Sequence, residues 1–168
     1  VTVRKHAPMN TITEKNVHFV SLGCPKNLVD SQVMLGLLKT DMYNVVNDPM
    51  VANVIVVNTC SFIDSSKKES VDTILELAEY KDKGKCETLV MAGCMAQRYK
   101  DQLQIEMPEV DLFIGTGEYQ RIAELVDWAR KGELPQRAYV NKPAFIHTEA
   151  HPRMQTGEFF SAYLKISE

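Results

Sequence analysis

Short apolar runs alternate with segments of helical spacing along most of the chain. The runs are continuous rather than alternating, and they cover Val17 to Leu22, Val54 to Val57, Thr88 to Ala92 and Val110 to Ile114. Continuous runs of this length, rich in β-branched residues, are typical of strands buried on both faces. Because apolar residues three and four apart fill the segments between them, strand and helix should alternate. This order predicts an α/β domain with a parallel sheet.

Local signals mark the ends of the predicted helices. The first helix should contain the apolar positions from Leu28 to Leu38. The other helices are expected over Val71 to Tyr80, Met95 to Met107 and Glu118 to Arg130. Ser66 and Glu69 have the spacing of a capping box in front of the second helix. Gly84, Pro108 and Gly132 stand where helices should end.

A fifth candidate strand, Tyr43 to Val46, is the least certain part of the sheet. Only about seven residues separate it from the run at Val54, whereas parallel crossovers usually need a dozen or more. An extended connection could just make the return, so we place this segment as an edge strand, with a loop as the alternative. The prediction is an open, mostly parallel, five-stranded flavodoxin-like sheet in the order 2-1-3-4-5, flanked by helices.

The character of the chain changes after Gly132. Residues 133–158 contain several prolines and no helical period, so they should form an irregular linker or a wrapping segment. A last strand is predicted over Phe159 to Ile166, with two residues after it. A strand interrupted so soon suggests that the chain is part of a longer protein. Residues 1–16 are assigned to an amino-terminal tail and residues 17–132 to the domain itself.

Composition and charge narrow the classes of function. The 168 residues are 45% hydrophobic with a net charge of −3, as expected for one ordinary globular domain. The charge has the wrong sign for a domain that binds nucleic acid by itself. No apolar run is long enough to span a membrane, and residues 1–16 lack the apolar region of a secretory signal. We therefore expect a cytoplasmic protein with reduced thiols.

Three of the four cysteines follow predicted strands. Cys24, Cys60 and Cys94 each stand at the carboxyl end of a strand where a helix begins. In the expected order these three strands are neighbours, so the thiols should converge at the ligand-binding edge of the sheet. Helix amino termini favour thiolates, which are soft ligands for iron-sulfur clusters, zinc or copper(I). Because no Cys-x-x-Cys pair is present, three widely spaced thiolates indicate a 4Fe-4S cluster with one open iron rather than structural zinc.

The fourth cysteine serves as a control. Cys86 precedes its strand, so an extended path places it roughly 25 Å from Cys94, at the opposite edge of the sheet. We expect it to be a bystander thiol rather than a ligand.

Other polar residues near the cysteines have two possible roles. Asn27, Asn58, Thr59 and Gln97 lie in the same loops and could donate hydrogen bonds to cluster sulfur or to a substrate. Helix capping and turn formation are equally good explanations for them. The four histidines, His6, His18, His147 and His151, show no paired spacing and are interpreted as surface residues. Gly115-Thr116-Gly117 lacks the spacing of a nucleotide-binding fingerprint and predicts an ordinary turn.

Three stretches around the cysteines resemble the amino-terminal domain of the methylthiotransferases, a branch of the radical S-adenosylmethionine enzymes. They are Ser21 to Gln32 (SLGCPKNLVDSQ), Val56 to Ile63 (VVNTCSFI) with Lys67 following, and Ala92 to Tyr99 (AGCMAQRY). At Pro25-Lys26-Asn27 and Ile63 the sequence resembles the branch of the family that modifies an aspartate of a small-subunit ribosomal protein. The tRNA-adenosine branch tends to have Gln-Met-Asn and Arg at these positions.

The resemblance implies a two-cluster enzyme. A central barrel would hold one cluster and cleave S-adenosylmethionine to a radical that abstracts hydrogen from the β-carbon of the aspartate. The present domain would hold a second 4Fe-4S cluster through Cys24, Cys60 and Cys94, whose open iron carries the sulfur for transfer. Residues 159–168 would begin the barrel, and Tyr163 to Glu168 would lead into its radical motif, where this chain stops. The partners implied are the ribosomal protein and the remaining domains, and the chain alone should be inactive.

Two alternatives remain at the level of sequence. One is the corresponding domain of a tRNA-adenosine methylthiotransferase, which the acidic balance and residues 25–27 disfavour. The other is a flavodoxin-like redox or interaction module without a cluster, in which Cys24 and Cys60 form a disulfide. Because a cluster needs reduced thiolates, we also expect a preparation handled in air to lack it.

Overall fold

A single parallel sheet of six strands forms the centre of the fold. The computed structural model describes residues 14–143, 148–157 and 161–166. The strands are β1 (Asn16–Ser21), β2 (Asn44–Val45), β3 (Val54–Thr59), β4 (Thr88–Gly93), β5 (Leu112–Ile114) and β6 (Ala138–Tyr139). Their order is β2-β1-β3-β4-β5-β6, and every pairing is parallel. The predicted α/β class and the order 2-1-3-4-5 are confirmed.

Helices cover both faces of this sheet. They are α1 (Pro25–Thr40), α2 (Asp64–Ala78), α3 (Tyr80–Lys83), α4 (Cys94–Glu106) and α5 (Ile122–Lys131). On one face Met34 and Leu38 of α1 pack with Leu125 of α5. On the other face Ile74 of α2 and Leu103 of α4 pack against the sheet. Since both faces are covered, every residue of β3 and β4 is buried, as the continuous apolar runs predicted.

The uncertain edge strand is present as β2. It pairs in parallel with the start of β1, with Asn16 opposite Asn44 and Val17 opposite Val45. The short return to β3 contains a single 3-10 turn over Pro49–Val51, which Asp48 caps by accepting a hydrogen bond from the Met50 N–H. One tight turn therefore replaces the long crossover that parallel strands usually need.

Two predictions at the ends of elements are wrong. The helix expected to start behind a capping box begins earlier, at Asp64, with Ile63 in the cap position and no side-chain cap bond. Ser66 and Glu69 therefore lie inside the helix rather than at its start. The chain predicted to be irregular after Gly132 contributes the two residues of β6, so the sheet has six strands rather than five. β6 pairs with β5 at the edge, a position where two residues suffice to extend a sheet.

The last predicted strand is also absent from the part of it that the structure describes. Residues 161–166 have no strand conformation and instead make side-chain contacts with α1, so the chain here follows a helix rather than a sheet edge. Phe159 lies outside the described residues, as do His6 and His147. Of the described helices, none is both long and apolar enough to cross a membrane.

Candidate functional site

Three cysteines meet at the carboxyl edge of the sheet. Cys24 occupies the cap position of α1, Cys60 directly follows β3, and Cys94 is the first residue of α4. The strands β1, β3 and β4 that precede them are hydrogen-bonded neighbours. All three cysteines line one cavity of about 810 Å³, and all are free thiols. The three cysteines therefore share one cavity at this edge of the sheet, as their positions along the chain predicted.

The cavity has a mixed lining. Its other residues are Gly23, Lys26, Ser61, Phe62, Ile63, Ser66, Glu69 and Arg98. Phe62 is 87% exposed, so an aromatic ring stands at the mouth in contact with solvent. Two cationic side chains and one carboxylate surround the thiols, which makes the mouth of the cavity polar as well as apolar.

Close approach of the backbone is what brings two of the cysteine loops together. Gly23 has φ +95°, and a Cβ placed there would lie 2.6 Å from Cys60 Cβ. Gly93 has φ +101°, and a Cβ there would lie 2.5 Å from the Thr59 carbonyl oxygen. Both the left-handed backbone and the absent side chain are therefore required at these positions.

Asn27, Asn58 and Thr59 bond the loops to one another. Asn27 Nδ2 donates to the carbonyls of Leu22 (2.7 Å) and Thr59 (3.1 Å). Asn58 Nδ2 donates to the Asn27 carbonyl at 3.0 Å and to Ser31 Oγ at 2.9 Å. Thr59 Oγ1 donates to the Ala92 carbonyl at 2.6 Å. The sequence left two roles for these residues, hydrogen bonding to a ligand or helix capping and turn formation. The observed bonds fit turn formation, because the side chains hold the loops in position.

The fourth polar residue, Gln97, points elsewhere. Its amide donates to the Asn141 carbonyl at 3.2 Å, and its oxygen accepts from Thr116 Oγ1 at 3.4 Å. It does not line the cysteine cavity. The Gly115-Thr116-Gly117 segment forms the expected turn, in which the Glu118 N–H donates to the Gly115 carbonyl.

Ser70 is a positioning residue that sequence reasoning missed. It is fully buried in α2, accepts a hydrogen bond from the Cys60 N–H (3.3 Å) and donates to the Cys60 carbonyl (3.1 Å). Ser70, Ile74 and Leu77 are the buried residues of α2, spaced four and three apart. A polar residue on the apolar stripe of a helix is the signal that could have identified it.

The remaining candidate ligands lie away from the cavity. Cys86 precedes β4, packs in the apolar cluster with Ile55 and Leu89, and does not line the cavity. Burial raises the pKa of its thiol to about 11. Nor do His18 and His151 line the cavity: the His18 ring contacts the Val46 carbonyl, and the His151 ring contacts Thr148.

The electrostatics at Cys94 differ from the sequence-based expectation that helix amino termini favour the thiolate. Burial raises the pKa of the Cys94 thiol, and the neighbouring Cys60 and Cys24 raise it further, while Lys26 opposes them. The prediction is wrong for Cys94 because burial disfavours its thiolate and, to a smaller extent, nearby thiolates repel it. A bound cation at this place would reverse the balance.

The arrangement of the three thiols bears on the kind of metal group that they could hold. Among the residues that the structure describes, no group of three His, Cys, Asp or Glu side chains is arranged to hold one ion. In an iron-sulfur cluster each thiolate binds a different iron, so the sulfurs line a shared cavity without converging on a single point. Three free thiols around one cavity fit that requirement.

Comparison with known proteins identifies the family. The model of the family described as "Uncharacterized protein family UPF0004" matches residues 16–115. This chain belongs to the UPF0004 family. The match to UPF0004 covers β1 to β5 and all three cysteines that line the cavity.

Curated relatives extend the likeness beyond the UPF0004 match. The chain is 49% identical over 160 residues to a protein of Geotalea uraniireducens named "Ribosomal protein uS12 methylthiotransferase RimO". It is 50% identical over 160 residues to the protein of that name from Citrifermentans bemidjiense. Each alignment covers 95% of this chain and 36% of the relative, within its amino-terminal part. The chain thus spans about a third of the length of the curated relatives it matches, and its resemblance to the methylthiotransferases is confirmed.

Proposed function

We propose that this chain binds a 4Fe-4S cluster through Cys24, Cys60 and Cys94. The observation that carries the proposal is the placement of these three free thiols around one cavity, at the ends of three adjacent strands. Cys86 is left out because it is buried at the opposite end of β4, within an apolar cluster.

In this proposal the chain gives the cluster three thiolate ligands and holds them in position, and it gives no fourth ligand. When bound, the cluster would offer one iron without a protein ligand, where sulfur can be held for transfer. Gly23 and Gly93 let the loops close around the cavity, and Asn58 and Ser70 hold the loop backbones through buried hydrogen bonds. Such buried bonds orient ligands and limit their motion.

In the wider reaction we infer that the chain is the sulfur-donating part of a methylthiotransferase. Support comes from the relatives, which are named ribosomal protein uS12 methylthiotransferases and extend well beyond the region matched here. The target would be the β-carbon of an aspartate in a small-subunit ribosomal protein, reached in the cytoplasm. S-adenosylmethionine and a second cluster would be bound by a radical domain elsewhere in the longer protein. The 168-residue sequence has four cysteines and no Cys-x-x-x-Cys-x-x-Cys motif for that second cluster.

Anaerobic reconstitution with iron and sulfide tests cluster binding directly. We expect about four irons per chain and visible absorption typical of a 4Fe-4S cluster. Cys24→Ala, Cys60→Ala and Cys94→Ala should each reduce the iron content severalfold, because a missing thiolate leaves two corners of the cluster without a ligand.

Cys86→Ala is the matched control, since it removes a cysteine from the same domain and should retain about four irons. Iron content that survives any of the three cavity substitutions, or that is lost with Cys86→Ala, contradicts the assignment. A wild-type chain that takes up no iron and instead forms a Cys24 to Cys60 disulfide would favour the redox module.

The inactivity of the isolated chain has a separate test. The reconstituted 168-residue protein is incubated with ribosomal protein uS12, S-adenosylmethionine and a reductant, and uS12 is examined by mass spectrometry. We expect no methylthio group to be added. Its appearance would show that the radical chemistry resides in this chain.

A further inference from the structure

The outer side of α1 is occupied by the last described residues of the chain. We call residues 148–157 and 161–166 the strap, and the contacts with this helix come from residues 152–156 and 163–166. Two hydrogen bonds join the two parts of the strap: Arg153 Nη2 donates to the Tyr163 carbonyl at 2.8 Å, and Gln155 Nε2 donates to the Ser161 carbonyl at 3.0 Å. The strap therefore behaves as one unit against α1.

Gln32 is the central contact between α1 and the strap. Its side-chain oxygen accepts two bonds from Arg153, at 2.9 and 2.6 Å. Its amide donates to the carbonyl and the hydroxyl oxygen of Thr156, both at 3.1 Å, while its backbone carbonyl accepts from the Met154 N–H at 2.9 Å. Gln32 is 2% exposed, so a buried amide has all of these bonds filled by the strap.

Gly36 lies one turn further along α1 and makes the approach possible. A Cβ at this position would lie 2.6 Å from the backbone carbon of Pro152 and 2.9 Å from the Arg153 nitrogen. Backbone atoms cannot move aside as a flexible side chain can. The absence of a side chain at Gly36 is thus a requirement of the strap rather than of the helix, which alanine would favour.

Asp30 forms the third contact, nearer the start of α1. Its carboxylate pairs with Lys165 Nζ at 2.7 Å, and the two side chains are only 4% and 7% exposed. Removing one partner of a buried ion pair strongly destabilises the folded chain, because the other charge stays buried without compensation. The pair therefore ties the end of the strap to the helix.

Contacts beyond Asp30 bring the strap to the cysteine cavity. Residues 163–166 form a second cavity of about 200 Å³ with Pro25, Lys26 and Val29. Lys26 also lines the three-cysteine cavity, and Cys24 is the residue immediately before Pro25. The described residues of the strap therefore contact α1 from Gly36 to its first turn, which begins directly after Cys24.

We propose that α1 is the receptor for the strap and that the strap is a positioning segment. It directs the chain along α1 to the rim of the cysteine cavity, so that the further domains of the longer relatives would start beside Cys24. This role gives a reason for two buried polar residues in α1, Asp30 and Gln32, whose side chains bind the strap. The significance of the rim rests on the proposed cluster, whereas the binding of the strap to α1 does not.

Hydrogen exchange in the cluster-free 168-residue chain tests strap binding. The reporter is the Met154 amide, since it donates to the Gln32 carbonyl of α1. We expect this amide to exchange at least about 100-fold more slowly than in an unfolded peptide. An exchange rate equal to that of an unfolded peptide would overturn the proposal.

Two variants sharpen the measurement. Gly36→Ala should speed exchange at Met154 about tenfold or more while the amides of β3 stay protected. Arg153→Ala removes the two hydrogen bonds to Gln32 Oε1 and leaves the sequence of α1 unchanged, so it should speed the same amide even if Gly36→Ala fails to fold. Glu149→Ala, an exposed strap substitution away from Gln32, is the matched control and should change nothing. Wild-type protection of Met154 in Arg153→Ala, or in a folded Gly36→Ala chain, would contradict the inference.

A photo-reactive p-benzoylphenylalanine at position 164 tests where the strap ends. We expect cross-links to residues 25–29, reduced severalfold in the Arg153→Ala background. Cross-links confined to any other part of the domain would overturn the positioning role. Iron counting on the same chain separates the two proposals: protection of Met154 without iron uptake supports the strap and rejects the cluster.

Discussion

At the carboxyl edge of the sheet, neutral side chains bond to the backbones of neighbouring loops, whereas at the amino edge charged side chains form ion pairs. At the amino edge Lys15 contacts Asp41 and Asp127 at 3.0 and 3.2 Å, and Arg130 pairs with Glu87 at 3.1 Å. At the carboxyl edge Asn58 and its neighbours are neutral and bond mostly to carbonyl oxygens. Neutral bonds of this kind hold the loops in place around the three thiols.

The four cysteines illustrate the same contrast. Cys86, before β4, packs into the apolar core, where burial makes its thiolate costly. Cys94, after β4, lies beside a cavity with two other thiols. Seven residues, six of them in β4, separate a thiol that is part of the core from one that is available to a ligand. The residue type is the same, and the strand end decides its chemistry.

The largest effect is expected from filling the space at the carboxyl edge. Gly93→Ala should lower the free energy of unfolding by about 3–5 kcal/mol, because it combines a positive φ with a clash against the Thr59 backbone. Gly132→Ala is the control: its φ is +70° with nothing within 4 Å, so about 1 kcal/mol is expected. Urea unfolding measures both, and equal losses would show that the close approach at Gly93 is unimportant.

A comparison of two asparagines at opposite ends of β3 should give the next largest effect. Asn58→Ala removes buried bonds to the Asn27 carbonyl and Ser31, so a loss of about 2–3 kcal/mol is expected. Asn53, just before β3, makes longer bonds of 3.3 Å to the Asn16 N–H and to Glu87, so Asn53→Ala should cost about 1 kcal/mol.

Iron reconstitution of the same two variants extends the comparison to function. Iron content should fall in Asn58→Ala and stay near the wild-type value in Asn53→Ala. Of these two asparagines, Asn58 is the one that bonds to the cysteine loops. The reverse order of iron loss would mean that the amino edge positions the site.

The smallest effect concerns the thiol of Cys86 in alkaline solution. Its pKa is about 11 in the folded chain, above the ordinary 9.0, so the folded state keeps its proton where the unfolded state has lost it. Stability should therefore fall as pH rises from about 9 to 11, by roughly 2 kcal/mol from this group. Unfolding measured across this range should show a smaller decline in Cys86→Ala, and an identical decline would mean that the thiol titrates normally when folded.

Much of the fold could be predicted because its signals are local. Continuous apolar runs identified the buried strands, and the glycine at 132 marked the end of α5. The errors occur where a distant partner decides. β6 forms because its backbone pairs with the edge strand β5. Residues 161–166 lie along α1 because Asp30 pairs with Lys165. Ser66 and Glu69 have the spacing of a cap, yet the helix already starts at Asp64.

The candidate site divides in the same way. The sequence by itself determined which cysteines follow strands, since strand ends can be read from apolar runs and the glycines behind them. Only the tertiary structure decided what holds the loops: the bonds of Asn58 and Ser70 join segments that are far apart in sequence. It also decided the raised pKa of Cys94, because burial and the distances to neighbouring thiols are properties that a linear pattern does not contain.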